Sequence, residues 1–157
     1  MYSGQPFSVS ASGTSLNAPG NTQRANQVKP SVAILGGTGA SESWFDPLAF
    51  APVTTATFGT AGFNSVFGPG AVNIDFGLVR EFRVGERFHL QFRADAFNAT
   101  NTPHFSNPSG NVSNMVLNGD GTVKSLGGYT TITSTIGGFG REGIDQRQLQ
   151  VGLKLRF

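Results

Sequence analysis

The sequence predicts an all-β chain, an antiparallel meander of about four long strands with two long loops, of the kind found in a transmembrane β-barrel. Three observations predict it. Apolar residues recur at every second position in three separate stretches, which is the period of a strand with two unlike faces. The composition is rich in Gly (22) and Phe (14), with 13% charged residues and two Met, which favours strands and turns over helices. The connections are long, then very short, then long, and Phe82, Phe88 and Phe157 fall at the short-turn end of their strands.

Bulk properties narrow the class. At 157 residues the chain fits one domain. The net charge of +2 and pI near 9.4 come from a small excess of Arg and Lys without a cluster, so nucleic acid is not an expected partner. The absence of Cys excludes disulfides, thiolate metal sites and cysteine catalysis. Met1-Tyr-Ser-Gly-Gln-Pro has neither the basic region nor the apolar core of a signal peptide. No run of 18 apolar residues suggests a transmembrane helix. A chain of this kind reaching an outer membrane would take its export signal from outside this sequence.

The strands are expected near 5–11, 72–84, 86–98 and 145–157. In the first, Phe7, Val9 and Ala11 share a face. From 12 to 70 the texture is that of a long loop, with Pro19-Gly20, Gly36-Gly37-Thr38-Gly39, Asp46-Pro47 and Gly68-Pro69-Gly70 as turn signals. The first 71 residues hold only Arg24, Lys29, Glu42 and Asp46 as charges. Trp44, Phe45 and Phe50 are read as a small cluster that pins this loop or touches a ligand. Asp46-Pro47 suggests a short helical turn with Asp as cap and Pro at the first position. In the second strand Ile74, Phe76, Leu78, Phe82 and Val84 share one face, and Asn73, Asp75, Gly77, Glu81 and Arg83 the other. In the third, Phe88, Leu90, Phe92, Ala94 and Ala96 oppose His89, Gln91, Arg93 and Asp95. Val84-Gly85-Glu86 reads as a three-residue hairpin loop, which sets Phe82 opposite Phe88, Leu78 opposite Phe92 and Glu81 opposite His89. A second loop spans 99–143, with β-prone Tyr129–Thr135 inside it. The last strand alternates Leu149, Val151, Leu153, Leu155 and Phe157 with Gln148, Gln150, Gly152, Lys154 and Arg156.

Strands of about 10–12 residues match the roughly 9–11 that cross a bilayer at a tilt. Tight turns at one end, long loops at the other and an aromatic row at the turn end are the outer-membrane barrel arrangement. Phe82, Phe88, Leu90, Phe92, Leu153 and Leu155 are then expected to face lipid or the interfacial girdle. Asp75, Glu81, His89, Arg93, Asp95 and Lys154 are expected to face the lumen. A soluble β-sandwich binding module, with the apolar face as core, is the alternative. A self-contained eight-stranded barrel would need four more strands within the two loops. Arg80 sits on the apolar face by parity and is expected to snorkel past Phe82 or to mark a bulge.

Several stretches resemble the TonB-dependent outer-membrane receptors of the Oar-like, carboxypeptidase-regulatory-domain-containing type. They are Ser3-Gly-Gln-Pro-Phe-Ser-Val9, Leu16-Asn-Ala-Pro-Gly20, Asn64-Ser-Val-Phe-Gly-Pro-Gly70 with Asn73-Ile-Asp-Phe76, Glu86 to Asn98, Asn101-Thr-Pro-His-Phe-Ser-Asn-Pro108, and Leu149 to Phe157. The resemblance implies that residues 1–157 are the C-terminal segment of a barrel of about 22 strands in the bacterial outer membrane, importing a bulky nutrient. It implies as partners outer-membrane lipid, the remainder of the barrel and its plug, the TonB system acting through that plug, and the barrel-assembly machinery. Phe157 would be the assembly signal. The chain departs from the family in showing no plug, TonB box, regulatory domain or signal peptide, so it is expected to be either a C-terminal fragment or partial product of such a receptor, or something new.

Residues for chemistry are sparse, and no catalytic, cofactor or metal site is expected. His89 and His104 are the only histidines, too few for a site of three or four converging ligands. No Gly-x-Ser-x-Gly elbow occurs. Gly36-Gly-Thr-Gly39 lacks the ending of a phosphate loop. Asn118-Gly-Asp-Gly121 lacks the spacing and final Glu of a calcium loop and reads as a turn. Asp75, Glu81 and Asp95 lie among Arg83, Arg87 and Arg93, which favours ion pairs over paired catalytic carboxylates.

Overall fold

Strict alternation produces one long sheet. The computed structural model describes residues 2–11, 22–136 and 146–157 and divides into two units. The first contains 71–104 and 135–157; the second contains 2–70 and 105–134. Leu16–Gly20, the start of the expected last strand at residue 145, and the end of the second loop lie outside the described residues.

The second unit carries the short elements. Strands β1 (Pro6–Phe7), β2 (Ser10–Ala11), β3 (Gln23–Arg24), β4 (Asn26–Gln27), β5 (Phe50–Ala51) and β6 (Val66–Phe67) have two residues each. They pair antiparallel as β1 with β6, β2 with β3, and β4 with β5. The first unit holds β7 (Phe76–Val84) and β8 (Phe88–Phe97). Strands β9 (Val116–Leu117) and β10 (Val123–Ser125) form a bulged pair in the second unit. Strand β11 (Gln148–Arg156) completes a three-stranded antiparallel sheet in the order β11-β8-β7. The described residues contain no α-helix, only 3₁₀ turns at Pro47–Ala49 and Val112–Asn114.

The expected strand at 5–11 is therefore divided. Its alternation is real, but Val9 and Ala11 are buried in the core of the second unit, and Phe7 packs against Phe45 with ring centroids 5.8 Å apart. The pattern gave the spacing of the inward residues correctly. It could not say what they pack against, since period 2 is the same for any covered face. Among the described residues the long sheet has three strands, and the segment at 5–11 pairs elsewhere.

The hairpin register also differs. The turn occupies Gly85–Arg87, and Gly85 takes φ +76°, a left-handed conformation that glycine adopts without steric cost. Val84 faces Phe88, Phe82 faces Leu90, Leu78 faces Ala94 and Glu81 faces Gln91. Each β7 residue meets a partner two positions further along β8 than expected. A shift of two leaves every side chain on its expected face, whereas a shift of one would invert the sheet.

The buried apolar core belongs to the second unit. Phe45, at its centre, lies edge-on to Tyr129 (5.5 Å, 88°) and Phe50 (6.1 Å, 87°), the tilted geometry aromatic pairs prefer. Val9, Ala25, Ala49, Ala61, Val66 and Val112 fill in around them. The long connections thus pack together as a loop body with its own core.

Candidate functional site: the two faces of the long sheet

The site is built from rows of residues that the register lines up across three strands. On one face the rows are Phe76–Ala96–Leu149, Leu78–Ala94–Val151, Arg80–Phe92–Leu153 and Phe82–Leu90–Leu155, with Val84–Phe88 at the turn end. Continuing the β8–β11 register places Phe157 beside Phe88. Nothing among the described residues buries this face: Phe76 is 62% exposed, Leu153 68% and Leu155 54%. A soluble sandwich requires a second layer here to cover the apolar side chains, and the described residues supply none. Nor do the described residues of the two loops supply the four further long strands of an eight-stranded barrel: β1 to β6 are two-residue segments paired within the loop body.

Arg80 lies in the third of five rows on this face. The register runs through it without interruption, so no bulge turns it away. Its guanidinium carbon lies 5.6 Å from the centre of the Phe82 ring, within cation–π range and one row nearer the turn.

The other face carries Gly77–Asp95–Gln150, Val79–Arg93–Gly152, Glu81–Gln91–Lys154 and Arg83–His89–Arg156. Glu81, His89, Arg93, Asp95 and Lys154 share it as expected. His89 Nδ1 meets Glu81 Oε1 at 3.1 Å across a diagonal, so the expected pair survives the register shift. Arg93 Nε donates to Asp95 Oδ2 at 2.6 Å. Lys154, Arg156 and Arg83 have no ion pair among the described residues.

Asp75 precedes β7 and has a different neighbourhood. Its Oδ1 accepts from the Asn98 backbone N–H (2.9 Å) and from Asn73 Nδ2 (3.1 Å). Asn98, with φ +45°, bonds Thr102 twice, through Nδ2 to the carbonyl and Oδ1 to the N–H. Asn101 Oδ1 accepts from the Arg147 N–H just before β11, and the Ala99 N–H donates to the Ile74 carbonyl. His104 is buried, its Nε2 3.1 Å from the Val72 carbonyl. Asn98 to His104 thus ties together the ends of all three strands opposite the hairpin turn. Sequence reasoning treated this segment as loop. The legible signal was Asn-Ala-Thr-Asn-Thr-Pro, two residues that tolerate left-handed backbone followed by a residue that ends regular structure.

In the loop body the Asp46 cap is present: its carboxylate accepts from the Leu48 N–H, with Pro47 opening the 3₁₀ turn. Burial pushes the Asp46 pKa up, but the Lys29 ammonium and the Leu48 N–H outweigh it and hold the carboxyl below its ordinary value. Burial, with the Asp46 charge, pushes the Tyr129 phenol up, and its hydroxyl has no hydrogen-bond partner among the described residues. Phe45 and Phe50 are fully buried and Trp44 donates to the Phe67 carbonyl at 2.9 Å, so this cluster packs the loop. Asn118–Gly121 is a turn between β9 and β10, where Asp120 accepts from the Thr122 N–H and hydroxyl. These bonds hold the Asp120 carboxyl below its ordinary value. No group of three His, Cys, Asp or Glu residues that could hold a metal occurs among the described residues.

An apolar face left open over the whole length of a sheet, backed by a charged face, is the pattern of a wall between lipid and water. Comparison with protein families gives the same class: residues 1–150 match the family model described as "Outer membrane beta barrel domain". Neither the curated proteins nor the solved structures contain a match to the chain. With nearly its whole length matched, this chain belongs to the outer membrane beta barrel domain family and is a component of a barrel in the bacterial outer membrane.

Proposed function

We propose that residues 1–157 form the C-terminal segment of a TonB-dependent receptor barrel of the Oar-like type, importing a bulky nutrient. Phe82, Phe88, Leu90, Phe92, Leu153 and Leu155 face lipid or its interface. Glu81, His89, Arg93, Asp95 and Lys154 line the lumen, with Asp75 at its rim. The turn at Gly85–Arg87 is periplasmic, and the two long connections are outer loops. The remainder of the barrel, a plug and the TonB system acting through it are the partners. Phe157 closes the signal read by the barrel-assembly machinery.

The observation that carries this reading is the division of apolar residues. Those of the long sheet are open along the whole of one face, while the loop segments gather a buried core around Phe45, Phe50 and Tyr129 and leave others such as Phe58 and Phe63 exposed. Bacterial porins leave an aqueous channel, whereas wide transporters hold a plug; preorganised outer loops suit capture of a large ligand. The test is conductance. The barrel containing this chain, extracted from outer membranes and inserted in planar bilayers, should be closed to small ions and should open when urea unfolds the plug. A steady open pore without urea would sink the receptor reading and leave a diffusion porin.

A further inference from the structure

The two free edges of the long sheet define their partner. Strands β7 and β11 both pair antiparallel with β8, so they run in the same direction. Among the described residues neither has a neighbour on its other side. Outer-membrane barrels are closed and antiparallel, with an even strand number. A set of strands that closes this sheet must begin and end with strands running opposite to β7 and β11, and therefore has an odd number of members.

A second copy of this chain does not fit. Copies inserted the same way are related by an axis along the membrane normal, and β11 of one would meet β7 of the next in parallel. A dyad in the membrane plane restores antiparallel seams, β11 on β11, but sends the turn of one copy to the opposite membrane surface. Charge points the same way. On the polar face the turn-end row is Arg83–His89–Arg156, with Lys154 in the next row. Like charges directly opposite are destabilising in a sheet. The nearby carboxylate, Glu81, is engaged by His89. A ring of copies would add Arg83 beside Arg156 and Lys154, so both edges carry cations that self-pairing leaves unbalanced.

We infer that the long sheet is closed by an odd number of barrel strands of different sequence, and that the strand seamed to β11 presents carboxylates to Lys154 and Arg156 on the polar face near the turn. This rests on the barrel assignment and not on TonB coupling. The test uses the chain in outer membranes. Lys154→Glu with Arg156→Glu should lower the temperature at which the barrel loses its compact, heat-modifiable mobility in SDS gels. Lys154→Gln with Arg156→Gln should lower it less, and Lys124→Glu in the loop body should leave it in place. Val79→Cys with Gly152→Cys, under oxidation, should give no disulfide between copies. Copy-to-copy disulfides, or a transition unmoved by charge reversal, overturn the seam. A chain missing from the heat-modifiable outer-membrane fraction overturns the barrel reading beneath it.

Discussion

Arg80 sets the sharpest conflict between a residue and its surroundings. It holds the central row of an otherwise apolar face, about 13 Å along the strand from Val84 at roughly 3.3 Å per residue. An arginine facing lipid at mid-depth costs about 2–4 kcal/mol, and less toward an interface. Its lean over Phe82 carries the charge toward the turn. Arg80→Leu should therefore stabilise the barrel, by up to about 2–4 kcal/mol if the central row lies at mid-depth, read by urea titration of folding in lipid vesicles. Tyr129 is the corresponding misfit in the loop body. Its buried hydroxyl has no partner among the described residues, and an unmade bond of this kind costs about 1–3 kcal/mol. Tyr129→Phe should be neutral or stabilising, whereas Tyr129→Ala, which empties the space against Phe45, should cost about 3–5 kcal/mol. Asp46 adds a pH dependence. Its carboxyl lies below the unfolded value of 3.8, so it contributes stability above that value and loses it as pH falls through the folded one. The fluorescence of Trp44, the single tryptophan, should report this acid weakening, and Asp46→Asn should abolish it.

At the scale of elements, turns decide which residues meet. Gly85 begins the hairpin turn with φ +76°, and a side chain there costs about 1–2 kcal/mol. Gly85→Val should slow assembly of the β7–β8 pair, seen as fewer heat-modifiable barrels at equal expression. The loop body depends on close approach. A Cβ on Gly59 would stand 2.0 Å from the Arg24 carbonyl oxygen, which only backbone movement relieves. Gly59→Ala should increase protease cleavage in the loop body while leaving the heat-modifiable band in place. The Asn98 clamp differs again, since one side chain satisfies both ends of a turn at Thr102.

For the molecule as a whole, two kinds of apolar surface coexist and have opposite fates. A core of loop residues gathers around Phe45 and excludes water; the apolar residues of the long sheet stay open, and in the proposed barrel lipid is their solvent. The chain should sediment with outer membranes and leave them only in detergent. If Phe157 is the assembly signal, Phe157→Ser should reduce the amount inserted in cells several-fold while refolding of purified barrel into detergent continues unchanged. Equal losses in both would reduce Phe157 to a stabilising contact.

Sequence alone determined the three long strands, their faces and the barrel class. Alternation at Phe76–Val84, Phe88–Phe97 and Gln148–Arg156 is a local property, legible wherever one face is apolar and the other wet. It also placed the Asp46–Pro47 cap and the Asn118–Gly121 turn, because those conformations are chosen by adjacent residues. Only tertiary structure decided the register, since turns at 84–86 and 85–87 satisfy the same parity. Only tertiary structure took Pro6–Ala11 out of the long sheet and folded the loops around Phe45. Two-residue strands carry no period, and their partners lie tens of residues away, so the choice rests on packing that no local window contains.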